Sequence, residues 1–408
     1  MKLFINPSGR RVYLRDYYCP SVAKTSYYYP PIDFIYMSAI EERIDFTDLI
    51  IGDSDKDISY GKYKEIIVLT SILSWKEDFD YLKKLKNRCK NTKMGVTGDL
   101  TKAFGEKITE KFEFADFVVE DFFIYMKERN RDYRFIPQFE KFAFEKYFFP
   151  FFEHYPVAHI LTDYGCVYKC DFCPLGKIAV RYYPCDFIER QLKELKRLGY
   201  RELHIRDQTF GVKDEHFYMV SDLLGQYGFT WSCFNRIDIM NEEKLMYLKN
   251  AGCHTIIFGI ETANEESRQE HIKNFNNVKI DEILLTCRKI GIKTVGTFII
   301  GLPNENEDDF QKTILYAKSL PLDYASFNKA MYRLNTKMSR AYNITDLEKL
   351  KAVELYCNDE SKVENYLRKA NIEFYLHPTR IRFLLGELLK KHRLLCYPAI
   401  FYNLLVRR

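Results

Sequence analysis

The fold is decided by Asp163-Tyr164-Gly165-Cys166-Val167-Tyr168-Lys169-Cys170-Asp171-Phe172-Cys173. Its cysteines are spaced C-x3-C-x2-C, and the apolar run at 158–162 just before it reads as a β-strand. Three thiolates at this spacing can hold three irons of a [4Fe-4S] cluster and leave the fourth iron open to an added ligand. Structural zinc would want a fourth Cys or His in register, and Cys185, the next cysteine, has no CxxC partner. A cluster carried by four cysteines, serving electron transfer alone, would not need this loop.

Outward from the motif, residues 158–344 repeat a strand-helix unit. Strands are expected at 158–162, 202–206, 230–235, 255–260, 294–300 and 324–328, with helices at 186–198, 215–227, 242–250, 280–290 and 307–319. Gly199, Gly228, Gly252 and Gly291 each stand where a helix should stop before the next strand. Such units close into a partial (β/α)6 TIM-type barrel, whose chemistry lies at the C-terminal ends of the strands. The cysteines follow the first of those strands.

Residues 1–129 alternate strand and helix as well. Strands are expected at 3–5, 48–51, 65–69, 94–97 and 116–119, and helices at 32–42 and 75–88. That pattern is α/β, a Rossmann-like parallel sheet covered by helices on both faces. No G-x-G-x-x-G or Walker A sequence supplies a phosphate cradle. Residues 130–157 are rich in Phe and Tyr and read as a linker packed between domains, or as part of a substrate cavity wall. Residues 345–408 read as helical, with Ile381, Leu384, Leu385, Leu388 and Leu389 set against Arg380, Arg382, Lys390, Lys391 and Arg393. Such a helix either caps the barrel or faces a membrane surface or an acidic partner.

Composition sets the outer bounds. Hydrophobic residues at 47% and charged residues at 29% exclude disorder and low complexity. A net charge of +5 gives no ground for a nucleic-acid partner. No apolar run approaches a membrane span, and the N-terminus lacks a signal peptide's apolar core. A cytoplasmic protein with reduced thiols is expected, in which the eleven cysteines do not form a disulfide framework.

The cysteine loop and the motifs after it resemble the radical S-adenosylmethionine (radical SAM) superfamily, over roughly residues 155–335. The resemblance implies that SAM chelates the open iron and is cleaved by one electron to methionine and a 5′-deoxyadenosyl radical, which abstracts hydrogen from substrate. It makes Cys166, Cys170 and Cys173 the metal ligands and places Phe172 near the adenine. Asp207, Gln208 and Thr209, after the second strand, take the place of the loop that meets the methionine amino group. Gln208 stands where a second acid is commoner. Asn235 and Arg236 end the third strand, and Arg236 suits the SAM carboxylate as a planar bidentate donor. Glu261 and Thr262 end the fourth, with Glu261 toward the ribose. Gly296, Ile299 and Gly301 mark the adenine-contacting fifth strand. Singly, each has a plain alternative: a salt bridge for Arg236, a helix cap for Glu261, a turn for Gly301-Leu302-Pro303. Their order along successive strand ends makes them a set.

A parallel α/β domain ahead of such a barrel resembles the cobalamin (B12)-binding subclass. Ser71-Ile72-Leu73 matches its S-x-L, and Gly98 stands where a Gly-Gly is usual, both facing the cobalamin nucleotide tail in that subclass. Its D-x-H-x-x-G motif is missing, and none of the eight histidines falls within residues 1–150. The domain therefore binds cobalamin without a protein histidine, survives as a remnant, or holds another flat ligand. With cobalamin the reaction expected is methylation of an unactivated carbon. Without it, epimerisation, cyclisation, decarboxylation or C–S bond formation remain. A non-catalytic cluster or corrinoid sensor is the reading from another class. An electron donor such as flavodoxin or ferredoxin is implied. The substrate, a peptide, a lipid or a small ring compound, carries no recognisable code.

Overall fold

The computed structural model describes residues 1–15, 21–22, 29–56, 58–128, 135–149, 151–271, 275–333, 336–338 and 359–388. The chain divides into two compact units, Met1–Phe149 with Glu189–Gly199, and Pro150–Ile188 with Tyr200–Arg408.

The first unit is built on β1 (Lys2–Asn6), β2 (Ile44–Asp48), β3 (Glu65–Thr70), β4 (Lys93–Gly98) and β5 (Phe117–Val119). They form one parallel sheet in the order β2-β1-β3-β4-β5. Its central strands are apolar on both faces, with Phe4, Ile5, Ile66, Ile67 and Val68 fully buried, as a sheet covered on two sides requires. Helix Trp75–Arg88 lays Phe79, Leu82 and Leu85 against it. This is a doubly wound order, and ligands of such sheets sit beyond the strand ends where the order reverses, here between β1 and β3.

One strand lies elsewhere than its composition implies. Of the run 48–51 only Asp48 lies in a strand, as the last residue of β2, and residues 49–51 are a turn. Asp48 accepts from the Ile50 amide at 3.0 Å and Asp53 from the Asp48 amide at 2.9 Å, so two carboxylates bend the chain where Leu49-Ile50-Ile51 would extend it. The aromatic stretch is divided between the units. Phe139, Phe142, Phe144, Tyr147 and Phe149 are buried within the first, and Phe151 and Phe152 within the second.

The second unit holds β6 (Val157–Ile160), β7 (Glu202–Ile205), β8 (Thr230–Asn235), β9 (Cys253–Glu261), β10 (Lys293–Ile300) and β11 (Tyr324–Lys329). All are parallel, and each lies beside its predecessor in sequence. The helices between them in sequence are Cys185–Arg197, whose residues from Glu189 onward group with the first unit, Asp214–Gln226, Glu242–Asn250, Glu265–His271 with Asn277–Ile290, and Glu307–Ser319. This is the partial (β/α)6 barrel. Asp163–Tyr164 pairs antiparallel with Arg181–Tyr182, which closes the neck of the cysteine loop.

Of the C-terminal region, helices Glu360–Tyr375 and Pro378–Leu388 are described; Leu389, Lys390, Lys391 and Arg393 lie outside the described residues. The first helix packs Val363 on Ile300 and Phe310. The second does not follow the simple apolar-against-basic division. Leu384 is buried, whereas Leu385 is 57% exposed. Arg380 is buried instead, donating to the Leu320 carbonyl at 2.5 Å with its guanidinium over Phe374. The long arginine stem suits this burial because its charged end finds a carbonyl.

Candidate active site at the cysteine loop

Two glycines fold the cysteine loop tightly. Gly165 has φ +96°, and a Cβ there would lie 2.7 Å from the Ala179 carbonyl oxygen. A Cβ on Gly176 would lie 2.6 Å from the Tyr168 oxygen and 2.9 Å from the Lys169 Cα. The Cys166 amide donates to Ile178 and the Cys173 amide to the Cys170 carbonyl, at 3.3 and 3.0 Å. Asp171 fixes the middle of the loop: its amide reaches the His271 carbonyl at 2.8 Å and its carboxylate meets Lys337 at 2.6 Å.

None of the three cysteines forms a disulfide among the described residues. Burial pushes Cys173 up to about 12 and raises Cys166, so both stay protonated until a metal displaces the proton. Among the described residues no three His, Cys, Asp or Glu side chains converge on a single ion. A cubane asks for something else, one thiolate on each of three separate irons. Three cysteine thiols on one tightly folded loop fit that donor set.

Several of the expected partners gather round this loop. Phe172 packs on Ile299, Leu302 and Ala330. Thr209 hydrogen-bonds the Cys166 thiol. Arg236, 5% exposed, stacks its guanidinium 3.7 Å above the Tyr168 ring and points Nη1 at Cys170 Sγ, 3.8 Å away. Its other edge is held by Asp238, Nε–Oδ1 2.9 Å and Nη2–Oδ2 2.6 Å. Asn235 accepts from the Arg236 amide at 2.7 Å and donates to the Phe210 carbonyl at 2.9 Å, which sets the backbone here. Tyr168 and Asp238 carry no role in the sequence motifs, although Asp238 follows closely in Asn235-Arg236-Ile237-Asp238.

Other expected residues serve the scaffold. Asp207 is fully buried and accepts from the amides of Thr162 at 2.6 Å and Asp163 at 3.2 Å, and from the Thr162 hydroxyl. It ties β7 to the end of β6 and leaves Gln208, half-buried beside it, as the more open residue. Burial pushes Asp207 up to about 6 and Asp163 well above its ordinary value. Gly296 lies in the barrel wall: a Cβ there would meet Leu322 at 2.6 Å, so packing explains the glycine. Thr262 is buried and bonded to Glu305 at 2.5 Å.

Glu261 has φ +69° and is the only non-glycine with positive φ among the described residues. The β9–β10 register also slips beside it. Such backbone costs about 1–3 kcal/mol and persists only where its surroundings impose it. Here they centre on Arg268, a fully buried arginine. It donates to the carbonyls of Ile260 at 3.3 Å, Phe275 at 3.2 Å and Thr262, and to Asn277 Oδ1 at 2.7 Å. In the polar run Glu265-Glu266-Ser267-Arg268-Gln269-Glu270-His271 nothing marks it as interior.

In the first unit Ser71 and Gly98 lie side by side at the ends of β3 and β4. Gly98 has φ +120°, and a Cβ on it would lie 2.0 Å from the Thr70 carbonyl oxygen. Asp78 accepts from the Ser71 amide at 3.0 Å and the Ser74 hydroxyl at 2.7 Å, and pairs with the buried Arg15 at 2.7 Å. Ser71 Oγ accepts from the Leu73 amide at 3.3 Å, so the S-x-L turn is preformed.

The Radical SAM superfamily model matches residues 160–317. A protein named an uncharacterized methyltransferase, from Pyrococcus horikoshii, is 27% identical over 263 residues, 60% of this chain and 56% of its own. The chain thus spans about half the length of that relative. The radical SAM methyltransferase TsrM of Kitasatospora setae, solved with cobalamin and a [4Fe-4S] cluster, superposes with TM-score 0.61 at 13% identity, over 83% of this chain and 76% of its own. The cobalamin-dependent SAM radical enzyme OxsB, solved with aqua-cobalamin and SAM, gives 0.64 at 14%, over 98% and 72%. These two likenesses are of fold, and they extend through both units. The cysteine loop after β6 thus lies within the stretch, residues 160–317, that matches the Radical SAM superfamily model.

Proposed function

We propose that the chain is a radical SAM enzyme that holds a [4Fe-4S] cluster on Cys166, Cys170 and Cys173 and transfers a methyl group with the aid of cobalamin. The observation that carries it is the glycine-folded loop of three cysteine thiols after β6, with Phe172 packed on Ile299 and Leu302. Bound there, the cluster supplies the electron that cleaves SAM. The residues around it do the rest by placement. Phe172, Ile299 and Leu302 form an apolar wall suited to adenine. Gly301 keeps the β10 end open to a flat ring, and Glu261, aimed by its left-handed backbone, accepts from the ribose hydroxyls. Gln208 and Thr209 lie at the β7 end to accept from the methionine ammonium.

Cobalamin would be held through its nucleotide tail by the turns at Ser71, Leu73 and Gly98, and would supply a methyl carrier. The preformed S-x-L turn, the glycine pressed on Thr70 and the strand-order reversal at β1 and β3 support this. Residues 1–150 offer the cobalt no histidine. No described helix is long and apolar enough to cross a membrane. A reduced cluster needs a reducing compartment, and the cytoplasm with a flavodoxin- or ferredoxin-type donor fits that need.

The test is anaerobic reconstitution with iron, sulfide and hydroxocobalamin. Stoichiometric corrinoid absorption, with S-adenosylhomocysteine formed only when corrinoid is present, is expected. SAM cleaved to 5′-deoxyadenosine with no corrinoid retained would leave a cobalamin-independent enzyme and overturn the methyl-transfer part.

A further inference from the structure

We propose that Arg236 sets the reduction potential of the cluster through Cys170, and does not grip the SAM carboxylate; this rests on the cluster-binding reading of the cysteine loop. A guanidinium recognises a carboxylate by two parallel N–H groups on one edge. In Arg236 the side edge, Nε and Nη2, is closed by Asp238 at 2.9 and 2.6 Å. Asp238 is two residues away and fixed in the short turn Ile237–Ile239, so the pair is intrinsic to the chain. The face of the guanidinium covers Tyr168, which lies between two of the cysteines in sequence. What remains is the end edge, Nη1 and the second Nη2 hydrogen, and it is turned to the cysteine loop, with Nη1 directed at Cys170 Sγ at 3.8 Å.

The consequence is electrostatic. Hydrogen bonds to ligand sulfurs and net charge beside a cluster set its potential. A cation and an N–H donor at Cys170 stabilise the state that carries the extra electron, and so raise the potential. Burial strengthens this, because little water screens the charge. Asp238 works the other way, offsetting part of the guanidinium charge. The two residues together form a fixed dipole beside one cluster ligand, making Arg236 a positioning and tuning residue.

The experiment is potentiometry, followed by EPR, of the reconstituted full chain without SAM, after iron and sulfide are quantified in each sample. Arg236→Met is expected to shift the midpoint potential to more negative values, Arg236→Lys by less, and Asp238→Asn to more positive values. Opposite shifts in two loaded variants do not arise from general damage to the loop. The Arg236→Lys and Asp238→Asn variants keep the comparison if Arg236→Met fails to load. Unchanged potentials, with SAM affinity lost in Arg236→Met, would return the residue to the SAM carboxylate and overturn the proposal. A wild-type chain that takes up no cluster would instead overturn the reading beneath it.

Discussion

Replacing Arg268 with methionine tests how the strained strand end at Glu261 is maintained. Methionine keeps most of the arginine stem's volume but removes every donor. The two short hydrogen bonds lost, to the Thr262 carbonyl and to Asn277 Oδ1, involve a charged donor and contribute about 1.5–3 kcal/mol each. Relief from burying the guanidinium, whose pKa burial lowers, offsets part of that. A net destabilisation of about 3 kcal/mol is expected, read as a lower urea midpoint at unchanged slope. The functional effect is separate. With its clamp gone, Glu261 can leave φ +69° and recover about 1–3 kcal/mol of strain, which moves its carboxylate from the pose proposed for ribose. At about 1.4 kcal/mol per decade, SAM affinity should fall about tenfold while iron content is unchanged. Calorimetric titration of reconstituted protein with SAM reads this directly. Wild-type affinity in a variant that is destabilised would refute the link between Arg268 and Glu261.

Other perturbations follow from the same geometry. Burial raises Glu305 to about 7, so the folded state holds its proton more tightly than the unfolded chain does. Stability from this group is therefore fully present below about pH 4.5 and declines as pH rises through about 7, by up to roughly 3 kcal/mol. Glu305→Gln, which preserves an acceptor for the Thr262 hydroxyl, should flatten that slope in unfolding curves taken from pH 5 to 8. Gly98→Ala must place a Cβ against the Thr70 carbonyl and should cost at least about 2 kcal/mol. Faster amide exchange in β3 and β4, with loss of any bound corrinoid, is the expected readout.

Much of the molecule was legible because its signals are local and repeated. The strand-helix alternation gave each barrel strand to within a few residues, since buried parallel strands read as continuous apolar runs. The cysteine loop was legible through spacing alone. Three things were not. Residues 49–51 are apolar and rich in Ile, yet a turn is made there by flanking Asp48 and Asp53, whose partners are backbone amides. Gly296 resembles a glycine kept small for a ligand, whereas Leu322, distant in sequence, occupies the space. Arg268 sits in a short polar helix and reads as solvent-facing; its burial depends on carbonyls of Ile260, Thr262 and Phe275 that only the folded strand end presents. Asp207 shows the converse. Its place after β7 was visible in the sequence, but its oxygens are turned inward to Thr162 and Asp163.

The central claim is that the three-thiol loop carries a cluster that cleaves SAM. Its most direct test is product analysis of the anaerobically reconstituted chain with SAM and a strong one-electron reductant, beside a Cys170→Ala variant treated identically. The expected result is about four irons per wild-type chain with formation of 5′-deoxyadenosine or S-adenosylhomocysteine, and loss of both in the variant. Full SAM turnover by Cys170→Ala, or an iron-loaded wild-type chain that leaves SAM intact under every reductant and substrate supplied, would contradict it.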